Sequence, residues 1–237
     1  MVTFASITNT GGRAVNEDSV RACEKDGRHL FALADGLGGH GGGEVASQYA
    51  VETCDQVFQA GGGLEDCFWA AQNGLLEEQA RMGASDEMKT TLALLRLDGD
   101  MARWGHVGDS RVYRFSGSQL AARTLDHSVP QMLVMSGELR EKQIRRHEDR
   151  NRLLRVLGIE WNSPKFELSG ETPLTPGDSY LLCSDGFWDW IVEKQMLRLL
   201  KQSQSPEQWL TRMEAEVLKH GRGHDMDNYS AIAVFVR

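Results

Sequence analysis

Residues 29–44 read His29-Leu30-Phe31-Ala32-Leu33-Ala34-Asp35-Gly36-Leu37-Gly38-Gly39-His40-Gly41-Gly42-Gly43-Glu44: an apolar strand that ends on an aspartate, then a glycine-rich turn. Helical periodicity follows from Glu44 to Gln59, with Val45, Tyr49, Val57 and Phe58 on a related face. Gly36, Gly38 and Gly41 spell GxGxxG, the formal dinucleotide fingerprint, and Asp55 falls near the acidic position that fingerprint expects. The next residues decide against it. Asp55 is still inside the helical pattern, and Gly61-Gly62-Gly63 leads to a second helix, Leu64 to Met82, instead of a second parallel strand. No Gly-Lys-Ser or Gly-Lys-Thr phosphate loop occurs either.

Working outward, strand-like runs cover Val2 to Thr8, Ser19 to Glu24, His29 to Ala34, Thr91 to Leu97, Met101 to Val107, Arg111 to Phe115, Gln119 to Thr124, Lys165 to Leu168, Ser179 to Cys183 and Tyr229 to Val236. Lys25-Asp26-Gly27, Asp98-Gly99-Asp100 and Ser116-Gly117-Ser118 are short polar turns between such runs, which favours antiparallel hairpins over crossover units. Two more helical stretches, Trp190 to Lys201 and Pro206 to His220, precede the last strand. Two mainly antiparallel sheets flanked by helix pairs make an α+β fold, a four-layer αββα sandwich. Residues 129–155 are charged and irregularly helical, and read as a surface flap on a single domain spanning 1–237. Arg145, Arg146 and Arg150 could attract a phosphorylated segment, but the interspersed Glu148 and Asp149 favour a solvated face.

Five acidic positions share one context: Asn16-Glu17-Asp18, Ala34-Asp35-Gly36, Gly108-Asp109-Ser110, Ser184-Asp185-Gly186 and Asp227-Asn228. Taken singly, an aspartate beside glycine, serine or asparagine is ordinary turn chemistry. Taken together, each carboxylate begins or ends an apolar strand-like run, so one sheet rim would collect all five. Clustered carboxylates repel, and hard divalent cations such as magnesium or manganese relieve the conflict. The set points to a metal-centred hydrolase.

The whole chain is consistent with that. Its 237 residues, 41% of them hydrophobic, suffice for one large core without a linker. A net charge of -8 argues against a nucleic-acid partner, and two divalent ions would halve it. Cys23, Cys54, Cys67 and Cys183 show no CxxC spacing and read as free apolar thiols in a reducing cytoplasm. The N-terminus lacks a basic, apolar leader, and no window approaches a membrane span.

Arg13 to Ser19, Ala34 to His40, Thr90-Thr91, Gly108 to Arg111, Asp126-His127-Ser128, Asn151 to Gly158, Ser184 to Gly186 and Asp227-Asn228 resemble, in order, the motifs of the metal-dependent protein phosphatases of type 2C, particularly the compact bacterial members. The resemblance implies two Mn2+ or Mg2+ ions per chain. Asp35 would bridge them, the Gly36 carbonyl would bind one, and Asp185 and Asp227 would hold the other. Asp18 and Glu17 would act through bound waters, and Arg13 would grip the substrate phosphate. Asp109 and Asp189 match positions that bind a third, weaker ion in family members. Taken by itself, Asp189 also suits a helix N-cap, and Asp126 and His127 read as structural. Asp225 lies two residues before Asp227, but Asn228 fixes the register on Asp227. Some members carry a histidine two residues after the bridging aspartate as an acid for the leaving alcohol. This chain has Leu37, which cannot transfer a proton, and His40 reads as a structural residue of the glycine turn.

The expected activity is hydrolysis of phosphoserine and phosphothreonine in proteins by metal-activated water, opposing a bacterial Ser/Thr kinase. Two alternatives stand beside it, a regulatory pseudophosphatase that binds phosphoproteins without turnover and a small-molecule phosphomonoesterase. Metal-stimulated phosphate release separates the first from the expected enzyme, and relative hydrolysis of phosphopeptides and metabolites separates the second. The sequence leaves the oligomeric state open.

Overall fold

The computed structural model describes residues 1–38, 42–83, 87–117 and 119–237. Gly39, His40 and Gly41, with the His40 reading and the third glycine of the GxGxxG pattern, lie outside the described residues, as does Ser118.

One sheet places β1 (Val2–Asn9), β12 (Tyr229–Val236), β11 (Ser179–Cys183), β7 (Arg111–Ser116) and β8 (Gln119–Arg123) side by side in that order. The other runs β10 (Thr172–Pro173), β6 (Met101–Val107), β5 (Leu92–Asp98), β3 (Arg28–Leu37) and β2 (Asp18–Lys25), with β4 (Lys89–Thr90) on β3 and β9 (Glu167–Leu168) on β6. Every described strand pair is antiparallel, which removes the βαβ unit a dinucleotide site needs. Asp55 belongs to α1 (Gly42–Gln59) and pairs there with Arg21.

Period-two alternation sorts the core into three apolar layers. Phe31, Leu33, Tyr180, Leu182, Ile232 and Val234 point between the sheets. Leu30, Ala32 and Ala34 point the other way, against α1 and α2 (Leu64–Met82). Leu181, Cys183, Ala231 and Ala233 face Met196 and Leu199 of α5 (Glu193–Leu200) and Trp209 and Met213 of α6 (Pro206–Gly221). The order is helices, sheet, sheet, helices, the αββα sandwich. All four cysteines are free and buried.

Some expected boundaries move for physical reasons. The buried stripe of α1 is Ala46, Ala50, Cys54 and Phe58 at i, i+4 spacing, the first three small enough to let the helix lie close on the sheet, while Val45 is exposed. The Thr91 to Leu97 run breaks at Thr91, whose amide turns to the Asp35 carbonyl. The Trp190 to Lys201 helix starts only at Glu193, because Trp190 to Val192 link it to a one-turn helix, α4 (Asp185–Trp188). Residues 129–155 hold α3 (Val129–Met135), begun by the Ser128 side chain accepting from Gln131, and a 3-10 turn, Glu141–Arg146.

Candidate metal centre

Strand register delivers the acidic residues to one rim. Asp18 and Asp35 are partners across β2 and β3. Cys183, two residues before Asp185, pairs with both Arg111, two after Asp109, and Ala231, four after Asp227. The carboxylates of Asp35, Asp109 and Asp185 each offer an oxygen within 4.8 Å of the others. Arg13, Glu17, Asp35, Gly36, Asp109, Asp185 and Asp227 line one cavity of about 390 Å³, with Leu37, Asn151 and Asn228.

Asp35 is clamped through its backbone. Its amide donates to Thr91 Oγ1 (3.0 Å), and its carbonyl accepts from the Thr91 amide and Thr90 Oγ1, both at 2.9 Å. Thr91 Oγ1 also meets Ser110 Oγ at 2.7 Å, tying this clamp to the Asp109 turn. Gly36 is required sterically, since a Cβ there would stand 2.1 Å from the Gly43 carbonyl. Thus Thr90-Thr91, part of the resemblance but given no role from sequence, fixes the central aspartate while leaving its carboxylate free. Among the described residues, no hydrogen bond reaches that carboxylate.

The electrostatics are those of a crowded cage. Burial first, then Asp185, Asp18, Asp109 and Asp227, push the Asp35 pKa well above the usual carboxylate value. Burial raises Asp18 to about 7, against the pull of hydrogen bonds from Ser184 and Ser230. The Ser184 hydroxyl donates to Asp18 Oδ2 at 2.7 Å, whereas Asp18 Oδ1 is buried without any partner. An orphaned carboxylate oxygen beside three converging acids is the chemistry of a hard-cation site, and the residues present fit divalent ions.

The position of Arg150 corrects the solvated-face reading. Its guanidinium is buried among the acids: Nη2 donates to Asp185 (2.7 Å), Nη1 to Asp109 (3.1 Å) and Nε to both Asp189 oxygens (2.9 Å). Desolvation opposes its charge, but the three carboxylates outweigh it and hold Arg150 firmly protonated. Burial takes Asp109 to about 8 and Asp189 to about 6 despite that guanidinium. Asp189 is therefore not an N-cap; it follows α4, and Val192 occupies the cap position of α5. Arg145 is also engaged, with the Trp188 and Ile191 carbonyls and Glu193. Only Arg146 of the three is exposed. Local charge alternation concealed this, because Arg150 looks in sequence like its neighbours.

Trp188 forms the floor beneath. The Arg111 and Arg150 guanidinium carbons lie 3.4 and 4.6 Å from its ring centroid, and its Nε1 donates to the Asp109 carbonyl at 3.0 Å. Arg111 forks onto Asp126 with two 2.7 Å hydrogen bonds. His127 Nδ1 accepts from the Gly108 amide (3.2 Å), and its ring stacks on His106 at 4.4 Å. Both residues are structural supports of the Asp109 turn.

Arg13 is exposed and bidentate to Asp227 (3.1 and 3.2 Å), so the cation sits at the cavity mouth. The Asp225 side chain is 79% exposed and does not line the cavity, in keeping with the register on Asp227. Asn228 receives the Glu17 amide on its side-chain oxygen (2.8 Å) and gives its amide to the Thr10 and Val15 carbonyls, pinning the N-terminal loop to the Asp227 turn. Leu37 lines the cavity without an ionisable group.

The serine/threonine protein phosphatase PstP of Mycobacterium tuberculosis is 35% identical over 195 residues, covering 80% of this chain and 37% of PstP, so the chain spans just over a third of that relative's length. The serine/threonine phosphatase stp of Listeria monocytogenes is 32% identical over 198 residues, 78% of this chain and 77% of that one. The crystal structure of M. tuberculosis PstP/Ppp has a TM-score of 0.87 at 29% identity, covering 100% of this chain and 99% of that one. The PstP catalytic domain in complex with two manganese ions has a TM-score of 0.84 at 28% identity, covering 100% and 99%. With the protein phosphatase 2C family profile matching residues 9–226, which take in Arg13, Asp18, Asp35, Asp109 and Asp185, the chain belongs to the protein phosphatase 2C family.

Proposed function

We propose that this chain is a metal-dependent serine/threonine phosphoprotein phosphatase, and the observation that carries the reading is the unshared Asp35 carboxylate at the centre of the acidic rim. Asp35, the Gly36 carbonyl, Asp185 and Asp227 would hold two manganese or magnesium ions, with Asp18 and Glu17 fixing their water shell. When bound, the ion pair supplies Lewis acidity toward water and the phosphate ester. Arg13, at the cavity mouth, exchanges part of its Asp227 contact for two phosphate oxygens and orients the ester. Leu37 contributes exclusion of water and no proton, so the chain supplies no leaving-group acid at that position. Arg150 takes the place between Asp109 and Asp189 where the resemblance puts a third ion, leaving two ions as the resting complement.

The same reading treats residues 1–237 as one phosphatase unit with a flap near 129–155. It also places the protein in the cytoplasm, where a Ser/Thr kinase makes its phosphoprotein substrates. No helix of the described residues is long and apolar enough to cross a membrane. The test is phosphate release from a phosphothreonine peptide with manganese and after chelation. Metal-dependent release is expected; folded, metal-loaded protein that releases none rejects the reading in favour of a phosphoprotein-binding role.

A further inference from the structure

A second and larger depression, about 1090 Å³, lies between the Glu141–Arg146 turn, the α4–α5 link and the end of α6. Its lining is cationic and aromatic: Lys142, Arg146, His147, Trp190, His220 and His224. Among the described residues Asp189 is the only carboxylate that lines it, and Arg150 occupies both oxygens of that group. Arg150 also binds Asp185 in the metal cavity, so the two depressions meet across one guanidinium.

The charges that matter are unspent. Lys142 and Arg146 are exposed and have no hydrogen bond or ion pair among the described residues. Of the nearby carboxylates, Glu141 pairs with Arg123 and Glu193 with Arg145, and neither Glu148 nor Asp149 lines the groove. The aromatic wall is fixed: His220 Nδ1 donates to the Trp190 carbonyl (3.0 Å), and the His224 ring packs 5.1 Å from the Trp190 ring. Val192 adds an apolar surface, 43% exposed. In a chain of net charge -8, a groove with two free cations and one neutralised acid is a local inversion of sign.

We propose that this groove docks an acidic segment of the phosphoprotein substrate, the Asp, Glu or further phosphorylated residues that flank the phosphoserine or phosphothreonine held in the metal cavity. The assignment rests on the phosphatase reading above and deepens it by naming the substrate class. Charge complementarity carries the selection, since a basic flank would meet Lys142 and Arg146 with like charge. Trp190 and Val192 supply contact area along which an extended segment lies.

The test uses the manganese-loaded protein and the Lys142→Glu/Arg146→Glu double variant, whose changes fall on exposed side chains outside the catalytic machinery. Turnover is measured on p-nitrophenyl phosphate and on two phosphothreonine peptides of equal length, one with acidic and one with neutral flanks. In parallel, fluorescence anisotropy follows binding of the acidic peptide without its phosphate. Wild type should prefer the acidic peptide. The double variant should lose roughly ten-fold or more in kcat/KM on it, through KM, the scale of two surface contacts turned from attraction to repulsion, with p-nitrophenyl phosphate unchanged. Anisotropy should show the same loss, and salt should weaken wild-type binding. Equal affinity of the two proteins for the acidic peptide overturns the proposal, as does equally tight binding of an oligonucleotide of the same charge. Absence of metal-dependent turnover on every substrate would instead reject the phosphatase reading, while anisotropy still decides whether the groove holds an acidic segment.

Discussion

Replacing Arg150 with Met removes the one cation shared by Asp109, Asp185 and Asp189, and we expect the metal-free protein to suffer far more than the metal-loaded one. Breaking a buried ion pair by deleting one partner costs about 3–5 kcal/mol. Here the loss sits near the lower figure, because Asp109 and Asp189, raised to about 8 and about 6, take up protons as the guanidinium leaves. A loss of about 3 kcal/mol in a chain of this length lowers Tm by roughly 6–12 °C. Manganese then fills the vacated acidic subsite, and at a hundred times its Kd it returns about 2.7 kcal/mol. Scanning calorimetry of both proteins, in chelator and in manganese, should show a wide Tm gap that nearly closes with metal. Ion counting on the desalted proteins should give one more manganese in the variant. A gap that is the same with and without metal, at unchanged stoichiometry, would refute the view that Arg150 stands in for a cation.

Three further outcomes are expected. Asp185→Ala should reduce metal-dependent turnover beyond the roughly 10–100-fold loss typical of outer-shell partners, with cooperative unfolding preserved in chelator; full activity at ordinary metal concentration would reject its role. Arg13→Ala should lower kcat/KM on a phosphothreonine peptide by roughly 10–100-fold, the value of a charged hydrogen bond of about 1.5–3 kcal/mol, and an unchanged value would remove Arg13 from the phosphate site. Asp126→Asn should cost about 3–5 kcal/mol at pH 7. Burial works against the Asp126 charge, but the Arg111 fork outweighs it and holds the folded pKa below the usual value. The Asp126 contribution is therefore present above the unfolded pKa of about 3.9 and disappears as pH falls through the lower folded value. Urea titrations from pH 7 down to pH 2.5 should show the wild-type advantage shrinking with acid, and a constant difference would contradict this account.

Residues that combine two local constraints were legible in the sequence. Asp35 follows an apolar run and precedes a glycine, and Asp185 does the same after Ser179–Cys183, so period and turn chemistry placed both on the rim, although β3 continues through Asp35 to Leu37 and Asp185 opens α4. Rejection of the dinucleotide fold likewise needed only the glycine break that ends α1 and starts a second helix. Arg150 was not legible, because its partners lie 35 to 41 residues away and its immediate neighbours are ordinary surface charges. The same limit hid the Thr91–Ser110 link and the Trp190–His224 wall, contacts that exist only once distant elements are packed.

The acidic rim raises a folding problem, because five carboxylates brought together oppose the compaction that collects them. Their framework does not depend on charge. Thr90 and Thr91 hold the Asp35 backbone, and Asn228 ties Glu17 to the Asp227 turn. These bonds persist whether the acids are protonated, paired with arginine or bound to metal. The charged side of the rim is balanced separately, by Arg13 at the mouth and Arg150 at the back, which leaves Asp35 and one Asp18 oxygen open between them. A cage preformed by neutral hydrogen bonds and neutralised only at its two ends binds cations at its centre without refolding. On that argument, metal binding should raise Tm while leaving the far-UV circular dichroism unchanged; a large gain in secondary structure on adding manganese would show that the cage is assembled by the metal instead.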